Sequence, residues 1–312
     1  MSKRPIMLLG GMVAWLVALI GFQLCAPSED AGSGMVVGAD FAVLEAPSVR
    51  VAFRGIEPRR LLAYTPEEGA ERDFEVVLRD TTDMRTVGEL LASVDREASF
   101  RVRGKITDVH ADGSFRWEWK VRKTKTLRDV ADGPMALRDW ERAVKAMKGL
   151  SGWSTLAPSG VVLDSNRPPS PRGATAATLA TTLDQILNEP GMPLPAEPVG
   201  EGCVWEVTRR FRVSGVETVT TERLEVASER EGSLKLVMSA GGEAGGGTEG
   251  WIQEVTSFTA TGGGEWELGL TGALPVDGSA WSDQAAAMEM SVQGIPLSSE
   301  STTKTDLVIR PL

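Results

Sequence analysis

From Phe100 to Val121 the chain repeats with a period of two. Phe100, Val102, Gly104 and Ile106 alternate with charged or polar residues, Asp112-Gly113 interrupts the run, and Phe115, Trp117, Trp119 and Val121 resume it on one side. That period suits a strand, whose side chains alternate between faces, and not a helix, whose side chains recur about every 3.6 residues. An Asp-Gly pair between two such runs is a hairpin signal. The pattern predicts an antiparallel hairpin with one buried face and two neighbouring tryptophans on it.

The same alternation appears on either side. Val49, Val51 and Phe53 alternate with Arg50, Ala52 and Arg54, and 74–78 reads as another strand. Later, Cys203, Trp205, Val207, Phe211 and Val213 fall on one face of a long strand, with Arg209 the odd member. Further strands are predicted at 217–226, 233–239, 251–259, 265–270, 287–292 and 303–309.

Helical spacing takes over between these β blocks. Leu137, Trp140, Val144 and Met147 share a face, with Arg138, Glu141, Arg142 and Lys145 outside and Gly149 as a stop. Leu179, Leu183, Ile186 and Leu187 mark a second helix ending near Pro190. A short strand is expected at 159–163 and a proline-rich loop at 166–172. The stretch 190–202, with four prolines and three glycines, must be irregular.

The expected fold class is mainly β (β-rich α+β): a curved antiparallel sheet or half-barrel packed on two or three helices, preceded by one N-terminal apolar helix. The extracytoplasmic domain would span 48–312, as a β block 48–130, a helical insert 135–190 and a β block 203–312. A weak duplication and one continuous sheet with a helical insert both fit this order.

The first 25 residues read as a signal anchor or signal peptide. Lys3 and Arg4 precede nineteen uncharged residues, Ile6 to Leu24. As a helix these would measure about 28 Å, near the thickness of the bilayer hydrocarbon core. The basic flank stays cytoplasmic and the rest is sent across. An uncleaved anchor, a lipoprotein signal ending at Cys25 and a cleaved secretory signal are the three readings, and all export the domain. Residues 26–47 form a flexible acidic spacer. The expected location is the cell envelope, on the periplasmic side of the inner membrane, or exported or lipid-anchored if the segment is processed.

Charge narrows the partners. Without Lys3 and Arg4 the 33 basic residues fall to 31 against 43 acidic ones, so the exported part carries −12. Such a surface repels phosphate backbones, and no nucleic acid is expected. The expected partners are the membrane, through the N-terminal segment, and a hydrophobic ligand or another envelope protein.

The search for chemistry points away from an enzyme. One histidine, His110, sits in the hairpin loop beside Asp112, and one retained cysteine, Cys203, lies beside Trp205; neither a zinc site nor a triad follows. Gly245 to Gly250 matches a dinucleotide fingerprint by letter, but a strand rather than a helix is predicted after it. Ser301-Thr302-Thr303-Lys304 matches Ser-x-x-Lys without a Lys-Thr-Gly partner. Asp277-Gly278-Ser279 with Asp283 is a candidate calcium loop lacking EF-hand spacing. Lys120 to Lys125 is the one basic cluster and suits a charged strand edge. No catalytic residue, cofactor or metal is expected. The candidate ligand-lining residues are Phe115, Trp117, Trp119 and Trp205, which otherwise fill a core.

Pro193-Leu194-Pro195, then Pro198-Val199-Gly200-Glu201-Gly202, then Trp205 and Val207, resemble a bacterial family catalogued as domain of unknown function 6263. There a Leu-Pro, a Pro-Val-Gly-x-Gly and a Trp-x-Val introduce the C-terminal strands. Glu201 departs from the apolar or small residue usual between the glycines. The resemblance covers 45–312 and implies a secreted or lipid-anchored β-rich protein with no assigned activity. The expected architecture is also similar to periplasmic lipoprotein carriers of the LolA and LolB type, which hold acyl chains between sheet and helices. The functions in view are a non-catalytic envelope protein that binds a hydrophobic ligand or docks a lipoprotein, a structural module without a pocket, and a hydrolase built on converging carboxylates.

Overall fold

The structure is a computed structural model, and it describes residues 41–43, 45–86, 89–133, 138–166, 168–169, 171–213, 216–230, 232–244, 253–271, 277–292 and 295–312. The N-terminal segment 1–25, most of the spacer, Leu137 and the glycine run 245–250 lie outside these residues. Among the described residues no helix is long and apolar enough to cross a membrane.

The elements in chain order are β1 (Phe41–Val43), β2 (Ser48–Phe53), β3 (Glu71–Thr86), β4 (Glu89–Val109), β5 (Phe115–Asp132), α1 (Trp140–Ala146), β6 (Ser151–Leu156), β7 (Val162–Ser165) and α2 (Ala174–Asn188). Then follow β8 (Val204–Val213), β9 (Val216–Arg230), β10 (Ser233–Ala244), β11 (Gln253–Gly269), β12 (Asp277–Val292) and β13 (Ile295–Pro311). All thirteen strands among the described residues belong to one antiparallel sheet in the order β1-β8-β9-β10-β11-β12-β13-β3-β4-β5-β6-β7, with β2 also on β8.

The last strand joins the two blocks. β13 pairs with β3 from Ser299↔Thr86 to Pro311↔Phe74, so the blocks form one continuous sheet around the helical insert. The sheet is open: its end strands do not pair with each other. An open, uncurled sheet thus replaces the expected curved sheet or half-barrel, and the two helices described fall within the two or three expected.

The predicted hairpin is β4–β5, turning at Asp112-Gly113 with Gly113 at φ 81°. Gly149 ends the turn after α1 at φ 89°. Strands differ more from expectation in length. The run 74–78 lies in the first half of a sixteen-residue strand. The strands predicted at 251–259 and 265–270 are one strand, β11, continuous through Gly262-Gly263-Gly264. Glycine reads as a breaker in sequence, but here it makes room: a Cβ on Gly264 would fall 2.4 Å from the Ser279 carbonyl oxygen. β6 was not expected, and β7 begins at Val162 rather than at Ser159.

One face of the sheet is more buried than the other, as the alternation along β3, β4 and β5 as far as Val121 records. Residues 56–69 cross the strand ends on the way into β3. Tyr64 N–H donates to Pro158 O (2.8 Å), Thr65 N–H to Leu270 O (2.7 Å) and Gly69 N–H to Ile106 O (2.9 Å). This crossing chain ties together strand ends that stand far apart in the sheet order.

Candidate functional site

The buried face has two zones. At one end the aromatic side chains close around α2. Phe115, Trp117, Trp119 and Trp205 are all buried there, in one cluster with Leu183, Ile186 and Leu187 of the helix. Trp117 Nε1–H donates to Leu187 O (2.8 Å), a helix-end carbonyl with no intrahelical partner. Trp119 Nε1–H donates to Asn188 Oδ1 (2.7 Å), and Trp205 Nε1–H to Pro193 O (3.0 Å). Glycines seat the rings: a Cβ on Gly104 would lie 1.8 Å from Trp117 Cη2, and one on Gly152 2.6 Å from Trp119 Cζ2. Trp117, Trp119 and Trp205 thus bond the end of α2 or the segment after it, and Phe115 lies in the same core with its ring 6.4 Å from that of Tyr64.

Further along the same strands the buried side chains turn polar. The register gives two rows across the sheet. In one, Thr82 stands beside Thr303, Thr303 beside Gln284, and at the far edge Thr220 beside Arg209. In the next, Arg96 stands beside Asp80, Asp80 beside Thr305, Thr305 beside Ser282, and at the far edge Glu222 beside Val207. The middle of both rows, on β10 and β11, is small: Gly242 and Ala260, then Ala240 and Gly262. Apart from Val207 and the small residues Gly242, Ala260, Ala240 and Gly262, these rows carry buried polar side chains, a band with one arginine–carboxylate neighbourhood toward each end.

At the β4 end, the Arg96 guanidinium lies over the Trp140 ring (5.5 Å to its centre), with Nε 3.4 Å from Asp129 Oδ1. Asp80 sits beside it, contacted by Thr305 Oγ1 (3.4 Å) and Thr82 Oγ1 (3.5 Å). Burial outweighs the nearby Arg96 charge and pushes the Asp80 carboxyl up to about 7. Asp95, a further charge acting on it, is on the other face, within ion-pair distance of Arg79 (3.2 Å) and Arg128 (2.5 Å).

At the β8 end, Arg209 Nη2 lies 3.3 Å from Glu222 Oε2, and both side chains are almost wholly buried. Arg209 Nε and Nη1 have no hydrogen-bond partner, and neither do the hydroxyls of Thr218, Thr220, Ser299 and Ser301. A buried polar atom left unmade costs about 1–3 kcal/mol, so such a group of them on one face is unusual. The odd member of β8 in sequence is thus one half of a buried ion pair. Its partner is thirteen residues away, and no local pattern links the two.

The remaining sequence candidates do not join this band. His110 is exposed in the β4–β5 turn, where the Ser114 hydroxyl donates to Asp112 Oδ1 (2.6 Å) rather than to the imidazole. Hydrogen bonds from Ser114 hold the Asp112 carboxyl below its usual range. Cys203 is buried, and burial pushes its thiol up to about 11, away from a reactive thiolate. Ser301 and Lys304 lie on opposite faces of β13, so the Ser-x-x-Lys match cannot work as a pair. The candidate calcium loop is strand: Asp277 to Asp283 belongs to β12. Among the described residues no cluster of three metal-ligating side chains occurs. Lys120 to Lys125 runs along β5 where β6, which pairs with Phe115 to Lys120, comes to its end.

Comparison with known proteins returns no family model, no curated protein and no solved structure that matches this chain. Neither the family resemblance nor the likeness to lipoprotein carriers gains support from it. Fold and site define a class by themselves: an open antiparallel sheet whose buried face is aromatic at one end and polar at the other.

Proposed function

We propose that this chain is a non-catalytic binding module of the bacterial envelope, tethered by Ile6 to Leu24, that takes a polar small molecule onto its buried band. The observation that carries this reading is the set of buried, unpartnered polar atoms at Arg209, Thr218, Thr220, Ser299 and Ser301. A protein interior normally pairs such atoms, and a ligand or bound water is what completes them. The hydrophobic-carrier version draws less support, because the aromatic end is occupied by the chain's own α2 and its indole N–H groups are bonded there. That filled end favours a second reading, a purely structural envelope module.

Native mass spectrometry of the full chain, extracted in mild detergent, separates these. The binding reading expects a mass excess that disappears on denaturation, together with a polar compound in the extract. Identical native and denatured masses would support the structural module. A lipid in the extract would instead favour the carrier and the likeness to LolA and LolB.

A further inference from the structure

The buried band reaches the sheet edge at β8, and there the edge ladder is interrupted. β2 pairs with Val204 to Thr208 and β1 with Phe211 to Val213, and neither pairs with Arg209 or Arg210. Between them the exposed Glu45 pairs with Arg210 (3.2 Å). Directly inside this interruption are the Arg209 guanidinium and Thr220 opposite it on β9; Thr218, two pairs further along on the same face, stands opposite Phe211, where β1 takes up the edge. On the next strand the position beside Thr220 is Gly242, so no side chain of β10 covers that hydroxyl.

The chemistry of these buried, unpartnered atoms is specific. Arg209 Nε and Nη1 only donate, whereas the two hydroxyls donate or accept. An apolar group would leave all of them unpaired. A cation would face the guanidinium. An anion would add a net charge, because Glu222 already offsets Arg209, and an uncompensated ion in a buried site costs several kcal/mol. We infer that Arg209, Thr218 and Thr220 form a subsite for an uncharged, hydroxyl-bearing group of the saccharide or polyol kind, admitted at the sheet edge between β1 and β2. The subsite rests on the binding-module reading and names its ligand chemistry.

The test uses the full chain in detergent, with glucose and N-acetylglucosamine as neutral probes and inorganic phosphate and acetate as anionic ones. Arg209→Ala would strand Glu222 as a buried charge and threaten folding, so Thr218→Val and Thr220→Val are the informative variants. A neutral probe should raise the wild-type melting temperature, and each valine variant should weaken its affinity about tenfold, the loss of one hydrogen bond. Without probe the variants should melt no lower than wild type, since each removes an unpartnered hydroxyl. Binding of phosphate or acetate but neither sugar would overturn the subsite and leave the binding-module reading standing. Equal affinity in wild type and both variants would also overturn it. Silence of all four probes, with equal native and denatured masses, would overturn both.

Discussion

At the tryptophan end of the buried face, three indole N–H groups each meet an oxygen of α2 or of the segment that follows it. At the other end, two guanidinium nitrogens and four hydroxyls on the same face meet none. Both ends belong to the same long strands and the same register, so secondary structure does not explain the difference. It lies in what covers each end: a helix terminus supplies spare acceptors by construction, whereas small residues in the middle of the polar rows supply none. Burial by itself therefore does not make a core. The tryptophan end bonds three of its indoles and leaves Ser154 Oγ and Gln185 Oε1 without a partner, whereas at the polar end the unpartnered atoms include two guanidinium nitrogens and four hydroxyls.

Four changes break or sharpen that contrast. The largest effect is expected at the aromatic end: Trp117→Ala should cost about 3–5 kcal/mol in denaturant unfolding, through lost packing and a stranded Leu187 carbonyl. Thr220→Val at the other end should then be close to neutral in the same assay. Next comes the buried pair. Glu222→Leu should cost about 3 kcal/mol by leaving Arg209 uncompensated, and adding Arg209→Met should restore most of that loss.

Third is a pH dependence. Burial holds the Asp80 carboxyl at about 7 in the folded chain, above its ordinary 3.8. Between those values the unfolded chain gives up its proton first, so stability should fall as pH rises from about 4 to about 7 and level off above. Asp80→Asn should flatten that interval in melting scans, a difference of a few kcal/mol at most. The smallest effect belongs to the exposed face: Lys304→Ala, which loses a 3.9 Å contact with Asp283, should change stability by less than about 0.5 kcal/mol.

Much of the architecture was legible where only one face of a strand is apolar. Phe100 to Val121 announced its hairpin, and the Leu179–Leu187 spacing announced α2, because apolar and polar residues separate cleanly there. The polar band was not legible for the converse reason. In Ser301-Thr302-Thr303-Lys304-Thr305-Asp306 both faces are polar, so alternation says nothing about which one is inside. Asp80 and Thr82 sit in the same kind of run on β3. Arg209 stood out as an anomaly, but its meaning depended on Glu222 across the β8–β9 pairing. β11 was divided in two because its glycines look like a break, and only the neighbouring backbone at Ser279 explains them. The proposed envelope location rests on Ile6 to Leu24, which lie outside the described residues.

The most direct test is an experimental electron-density map of this domain at the β8 edge. The account predicts ordered density, too large for water, within about 2.7–3.2 Å of Arg209 Nε or Nη1 and of the Thr220 hydroxyl. Protein side chains closing on those same atoms, as the helix end closes on Trp117, would contradict it.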